Sequence, residues 1–98
     1  MIRAFRDAGT QDIFDGADTN RARRTCPRPV WPVARRKLEL LDSVRTLSDL
    51  RVPSANQLET LKKGRAGQHS IRVNQQYRLC FVWTELGPTD VEIVDYHS

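Results

Sequence analysis

Cysteine is scarce: only Cys26 and Cys80 occur in 98 residues, too few for a disulfide framework, and such a chain is at home in a reducing cytoplasm. Long apolar runs are missing, and nothing approaches the ~20 residues that a membrane helix requires. The opening Met1-Ile2-Arg3-Ala4-Phe5-Arg6 lacks the unbroken apolar segment of a secretory signal. A cytoplasmic location with no membrane contact is therefore expected. The five glycines make no phosphate loop, because Gly64-Arg65-Ala66-Gly67 has neither a strand before it nor a helix after it. Cys26, Cys80, His69 and His97 are scattered without paired spacing, so neither a metal nor another cofactor is expected. No serine-triad signature is present. The length leaves room for one domain, residues 1–98, with one core.

What the chain does have is arginine. Sixteen basic residues against twelve acidic ones give a net charge of +4, unevenly placed. Residues 21–51 hold nine cations (Arg21, Arg23, Arg24, Arg28, Arg35, Arg36, Lys37, Arg45, Arg51) against Glu39, Asp42 and Asp49. The last twenty residues hold Glu85, Asp90, Glu92 and Asp95 and no Lys or Arg. Arginine outnumbers lysine thirteen to three, a bias that suits planar contacts to phosphate or carboxylate. Nucleic acid and an acidic protein both fit as partners; so does a plain solvated basic face.

Residues 1–5 alternate weakly and predict a short first strand. Thr10-Gln11-Asp12-Ile13-Phe14 predicts a short helix, with Thr10 as its N-cap and Gly16 near its end. Residues 17–30, with Asp18, Thr19, Asn20, Pro27 and Pro29, read as an arginine-rich loop that moves in the absence of a partner. A helix is predicted over 32–47, opened by Pro32 and burying Val33, Leu40, Leu41, Val44 and Leu47. Residues 53–56 predict a loop, Leu58 to Leu61 a short extended or turn segment, and 64–67 a sharp reversal. Alternation over 69–73, 77–83 and 91–95, with turns at 74–76 and 85–89, predicts three antiparallel strands. The expected fold is α+β: two N-terminal helices packed on one face of a mainly antiparallel sheet with a C-terminal meander.

Chemistry-bearing residues are few. Lys62, Arg65 and Arg78 come from the predicted turn and a neighbouring strand, and the chain closes with Asp95-Tyr96-His97-Ser98. Read alone, that ending is equally a frayed terminus, and His69 reads as a sheet residue. Arg35 and Arg36 stand in the first turns of the long helix, where the dipole disfavours cations slightly; a partner role or simple packing accounts for them equally well.

From Leu58 to His97 the chain resembles the HigB toxins of the RelE/ParE superfamily. The likeness rests on Leu61-Lys62, Arg65-Ala66-Gly67-Gln68-His69-Ser70-Ile71-Arg72-Val73-Asn74, Tyr77-Arg78-Leu79-Cys80-Phe81 and Val91-Glu92-Ile93-Val94-Asp95-Tyr96-His97, with Met1-Ile2-Arg3-Ala4-Phe5 at the start. It implies a RelE-like fold and a ribosome-dependent mRNA endonuclease acting in the 30S A site without a metal. A HigA-like antitoxin is the implied protein partner. By the same resemblance Lys62, Asp95, Tyr96 and His97 match the catalytic positions and Arg78 the strand arginine that acts with them, Asp95 either orienting His97 or accepting the 2′-OH proton. Glu59 stands where a characterised relative has a histidine, and it serves either as a base or as a partner of Lys62 or Lys63. Lys63, Arg65, Arg35 and Arg36 are expected to touch RNA. Cleavage by 2′-OH attack needs a proton acceptor, fixed cations around the phosphorane and an acid for the leaving oxygen. Arg78 and Arg65 suit the charge, His97 suits proton transfer, and Tyr96 offers a stacking face. The alternatives are a non-enzymatic ParE-like gyrase inhibitor and a binding module acting with its antitoxin on operator DNA.

Overall fold

A computed structural model describes residues 1–61 and 67–96; the sharp reversal expected at 64–67 lies mostly outside them. Helix α1 (Ala8–Asp15) begins one turn earlier than its sequence pattern implied. Asp7, not Thr10, is its N-cap, accepting from the Thr10 backbone N–H at 2.7 Å. The Thr10 hydroxyl instead accepts from the Ile93 N–H at 3.0 Å, pinning α1 to the last strand. Gly16 ends the helix in the left-handed region (φ 79°), where glycine avoids the Cβ penalty.

The expected loop over 17–30 is corrected. Asn20–Thr25 forms α2, capped by the Thr19 hydroxyl on the Ala22 N–H, and Arg28–Val30 is a 3-10 turn. Asp18, Thr19 and Asn20 look like helix breakers, but they supply the cap at which a helix starts. Ala22 is fully buried. Arg21 grips Asp12 with two bonds of 3.0 Å, and Arg23 and Arg28 both pair with Asp18. The segment is therefore ordered, and much of its positive charge is balanced locally.

Helix α3 (Trp31–Ser43) stops short of the expected residue 47, and Leu47–Arg51 is a separate 3-10 turn. Its buried residues are Ala34, Leu38 and Leu41, at helical spacings of four and three. Val33, Leu40, Val44 and Leu47 pack only partly against the core. Each fully buried leucine stabilises the fold by roughly 1.5–3 kcal/mol.

Another 3-10 turn, Ser54–Asn56, leads into four strands: β1 (Glu59–Thr60), β2 (Gln68–Arg72), β3 (Tyr77–Thr84) and β4 (Gly87–Asp95). They form one antiparallel sheet in the order β1-β2-β3-β4. The expected turn at 85–89 is tighter, since Gly87 already pairs with Thr84. The register slips between Cys80 and Val82, opposite Asp90, whose φ is 51°. Beside this bulge the first residues run parallel to β4: Phe5 bridges Val91, and the Arg3 N–H reaches the Pro88 carbonyl at 2.8 Å. The expected first strand is thus a short edge segment.

Ile71, Val73, Leu79, Phe81, Val91 and Ile93 meet Ile13, Ala22, Ala34, Leu38, Leu41 and Leu50 in the core. The helices cover one sheet face, giving the α+β architecture anticipated, with α2 as an additional helix.

Candidate active site

Across the sheet from the helices, the turn between β2 and β3 decides what meets what. Asn74 folds its side-chain oxygen onto the N–H groups of Gln76 (2.8 Å) and Tyr77 (2.7 Å), closing the hairpin. That closure pairs Ser70 with Cys80 and Arg72 with Arg78. On the neighbouring edge Glu59 pairs with Ser70. Because side chains alternate by two along a strand, Glu59, Ser70, Arg72 and Arg78 share one face.

An open groove of ≈ 600 Å³ lies on this face, lined by Gln57, Glu59, Arg72, Asn74, Gln75, Arg78 and Tyr96. Arg78 is its deepest charge, only 6% exposed. Its Nε donates to the Ser70 hydroxyl at 2.8 Å, and Nη2 donates to the carbonyls of Gln57 and Ser70. These charge-assisted bonds offset the desolvation of a buried guanidinium. Tyr96, whose N–H donates to the Gln76 carbonyl at 2.6 Å, places its ring centroid 5.9 Å from the Arg78 Cζ. The tyrosine remains 38% exposed, leaving ring surface for a ligand. Among the described residues Glu59 forms no ion pair with Arg72 or Arg78. Two guanidinium groups and one carboxylate thus share the groove, a net +1 from these charged side chains.

Three residues singled out from sequence, Glu59, Arg78 and Tyr96, come together here. Asp95 does not line the groove: it pairs with Tyr77, and its carboxylate accepts from Gln76 Nε2 at 3.1 Å. Burial first, and then the Asp95 charge, push the Tyr77 phenol upward. Arg35 lies in a second cleft with Gly16, Trp31 and Arg28, and Arg36 is exposed on α3; neither lines the groove. Lys62, Lys63, Arg65 and His97 lie outside the described residues. His69 stands on the helix-facing side, its Nδ1 3.1 Å from the Thr60 hydroxyl and its ring tilted against Phe81; burial lowers its pKa below the usual 6.5.

Sequence reasoning missed Arg72, Gln57, Asn74 and Gln75 as groove residues. Arg72 had a usable signal: a hairpin centred on Gln75 puts residues 72 and 78 on one rung. Gln57 had none, because its place depends on a left-handed backbone (φ 46°) after a 3-10 turn. Among the described residues no group of three or more His, Cys, Asp and Glu is placed to hold a metal. No helix there is long and apolar enough to cross a membrane.

Helices followed by a four-stranded antiparallel meander are consistent with a RelE-like fold. A family described as "RelE-like toxin of type II toxin-antitoxin system HigB" matches residues 3–97, and the chain belongs to that family of HigB-like toxins. It is similar to Toxin HigB-1 of Vibrio cholerae serotype O1 (strain ATCC 39315 / El Tor Inaba N16961). The two are 36% identical over 85 residues, 87% of this chain and 86% of the relative. An uncharacterized protein of Haemophilus influenzae (strain ATCC 51907 / DSM 11121 / KW20 / Rd) is 36% identical over 77 residues, 79% of this chain and 73% of that one. As the toxin of a type II pair, the protein has an antitoxin as its partner.

Proposed function

We propose that the protein is a ribosome-dependent mRNA endonuclease that cuts in the 30S A site by 2′-OH attack on the adjacent phosphate, inhibiting translation in the cytoplasm. The observation that carries this reading is the Arg72–Arg78 rung beside the Tyr96 ring. Two permanently charged guanidinium groups on one face suit the equatorial oxygens of a phosphorane. The Tyr96 ring offers a stacking surface for an unpaired base. Glu59, within the same groove, is the carboxylate assigned to accept the 2′-OH proton. Its negative charge opposes RNA entry, and the two arginines outweigh it.

Lys62 adds a further cation, and His97, whose side-chain type titrates near neutrality, serves in proton transfer. Asp95 is a residue that supports the Tyr77–Gln76 end of the sheet and, through it, the position of Tyr96. Lys63, Arg65, Arg35 and Arg36 serve as RNA contacts, Arg35 and Arg36 from outside the groove lining, and the antitoxin is of the HigA type. No metal takes part in the proposed reaction, since proton transfer and charge stabilisation are supplied by side chains.

Primer extension on mRNA in a translating extract tests the proposal. Breaks at A-site codons are expected, with Arg78→Ala lowering the rate on the order of 100-fold or more, the scale of losing one fixed transition-state donor. Intact mRNA in the presence of folded, translation-inhibiting protein would overturn it in favour of a non-enzymatic inhibitor.

A further inference from the structure

We propose that Ser70 and the carbonyl of Gln57 are positioning residues that hold Arg78 in its phosphate-binding orientation before RNA arrives. This inference rests on the nuclease function proposed above and concerns how its principal cation is kept ready. A guanidinium carries N–H donors on three nitrogens in a rigid fork. In Arg78 the edge formed by Nε and Nη2 is fully engaged: Nε by the Ser70 hydroxyl, Nη2 by the Gln57 and Ser70 carbonyls. Among the described residues nothing accepts from Nη1, which is left as the donor for a ligand in the groove that Arg78 lines.

The clamp is itself built from fixed parts. Ser70 is fully buried in β2, where its rotamer is locked by packing. Gln57 occupies the left-handed region (φ 46°, ψ 57°), a conformation that is costly for a residue bearing a Cβ. That corner is held from below by Asn56, fully buried, whose side-chain N–H groups reach the Leu50 and Val52 carbonyls at 3.2 and 3.3 Å. The Asn56 side-chain oxygen accepts from Lys37 of α3. A strained carbonyl secured by a buried polar network thus points at the one cation the groove buries most deeply. The clamp has a further consequence for Glu59. A mobile Arg78 could turn toward that carboxylate and be neutralised by it, whereas the held guanidinium forms no ion pair with Glu59.

Ser70→Ala removes one oxygen and Ser70→Cys replaces it by a weak acceptor of similar shape. Single-turnover cleavage on programmed ribosomes is expected to slow on the order of 10- to 100-fold in Ser70→Ala, the scale of a misaligned catalytic group. Ser70→Cys should fall between the alanine variant and the parent. The toxin concentration giving half-maximal rate should change less than about twofold, because ground-state binding is shared among many contacts. A second readout is independent of activity: hydrogen exchange of the Arg78 Nε–H by nitrogen-15 NMR. Exchange should accelerate at least about tenfold in Ser70→Ala and stay unchanged in the control Val82→Ala. If Arg78→Ala abolishes cleavage but Ser70→Ala cuts at the parental rate, the positioning role is overturned while the nuclease function stands. If Arg78→Ala itself cuts normally, the nuclease role of Arg78 fails first. The clamp is then decided by NMR alone, with an unaltered Nε–H in Ser70→Ala overturning it.

Discussion

Arg72 and Arg78 oppose each other directly on one rung of β2 and β3. Like charges so placed weaken a strand pair by a few tenths of a kcal/mol, and the fold accepts that cost where the groove needs cations. Replacing Arg72 with Gln is therefore expected to leave stability unchanged or raise it by up to about 0.5 kcal/mol. Ribosome binding should weaken, and its slope against the logarithm of salt concentration should fall by about one. Urea denaturation and a salt titration of ribosome association measure the two effects, and a loss of stability with unchanged salt dependence would contradict both.

His69 and Asp12 make stability pH-dependent in different ranges. His69 is held below its ordinary 6.5 by burial, so the unfolded chain takes up a proton more readily than the folded one. Its contribution is complete above about pH 6.5 and declines as pH falls below that value. The Asp12 carboxyl is held below its ordinary 3.8 by the Thr19 hydroxyl and then by Arg21. That contribution is present above the ordinary value and is lost as pH falls through the folded one. Denaturation between pH 7 and 2.5 should show His69→Gln flattening the upper part of the decline and Asp12→Asn the lower part.

Cys26 is only 2% exposed, and burial pushes its thiol up to about 11 from the usual 9.0. At pH 8 its thiolate population is roughly 100-fold below that of an ordinary cysteine. A disulfide reagent should label Cys26 slowly in the folded protein and rapidly once denaturant is added, as mass spectrometry of the modified peptide would show. Prompt native labelling would contradict the buried placement.

Leu38 and Leu40 lie two residues apart on α3, and the first is fully buried whereas the second packs only partly. Leu38→Ala should cost 2–5 kcal/mol, in the range of core truncations, and Leu40→Ala should cost markedly less. Equal losses by urea denaturation would place the buried stripe elsewhere.

That pair also shows how far the sequence could be read. Alternation in 69–73, 77–83 and 91–95 announced the meander, because a half-covered sheet imposes a period of two. Pro32 and the apolar spacing announce α3, yet that spacing points to Leu40 where the core takes Leu38. A stripe drawn from Val33 lies about a third of a turn from the one drawn through Ala34, and small Ala34 gives no strong hydrophobic signal. Helix α2 was hidden because Asp18, Thr19 and Asn20 serve equally in loops and at helix starts. Of the candidate site, Glu59, Arg78 and Tyr96 were found through their residue types and family likeness. Arg72 required the strand register, and Gln57 required a backbone angle that no side chain advertises.

Residues 3–6 rest against Pro88 to Val91, and the Thr10 hydroxyl waits for the N–H of Ile93. Segments made first during synthesis therefore find their seats only after more than eighty further residues have emerged. A nascent chain has no place to lay its leading edge until β4 exists, and Tyr96 follows β4 in the order of synthesis. Under the function proposed above, harm to the translating cell is thereby deferred: a half-made copy, still threaded through the ribosome that is making it, lacks the completed groove.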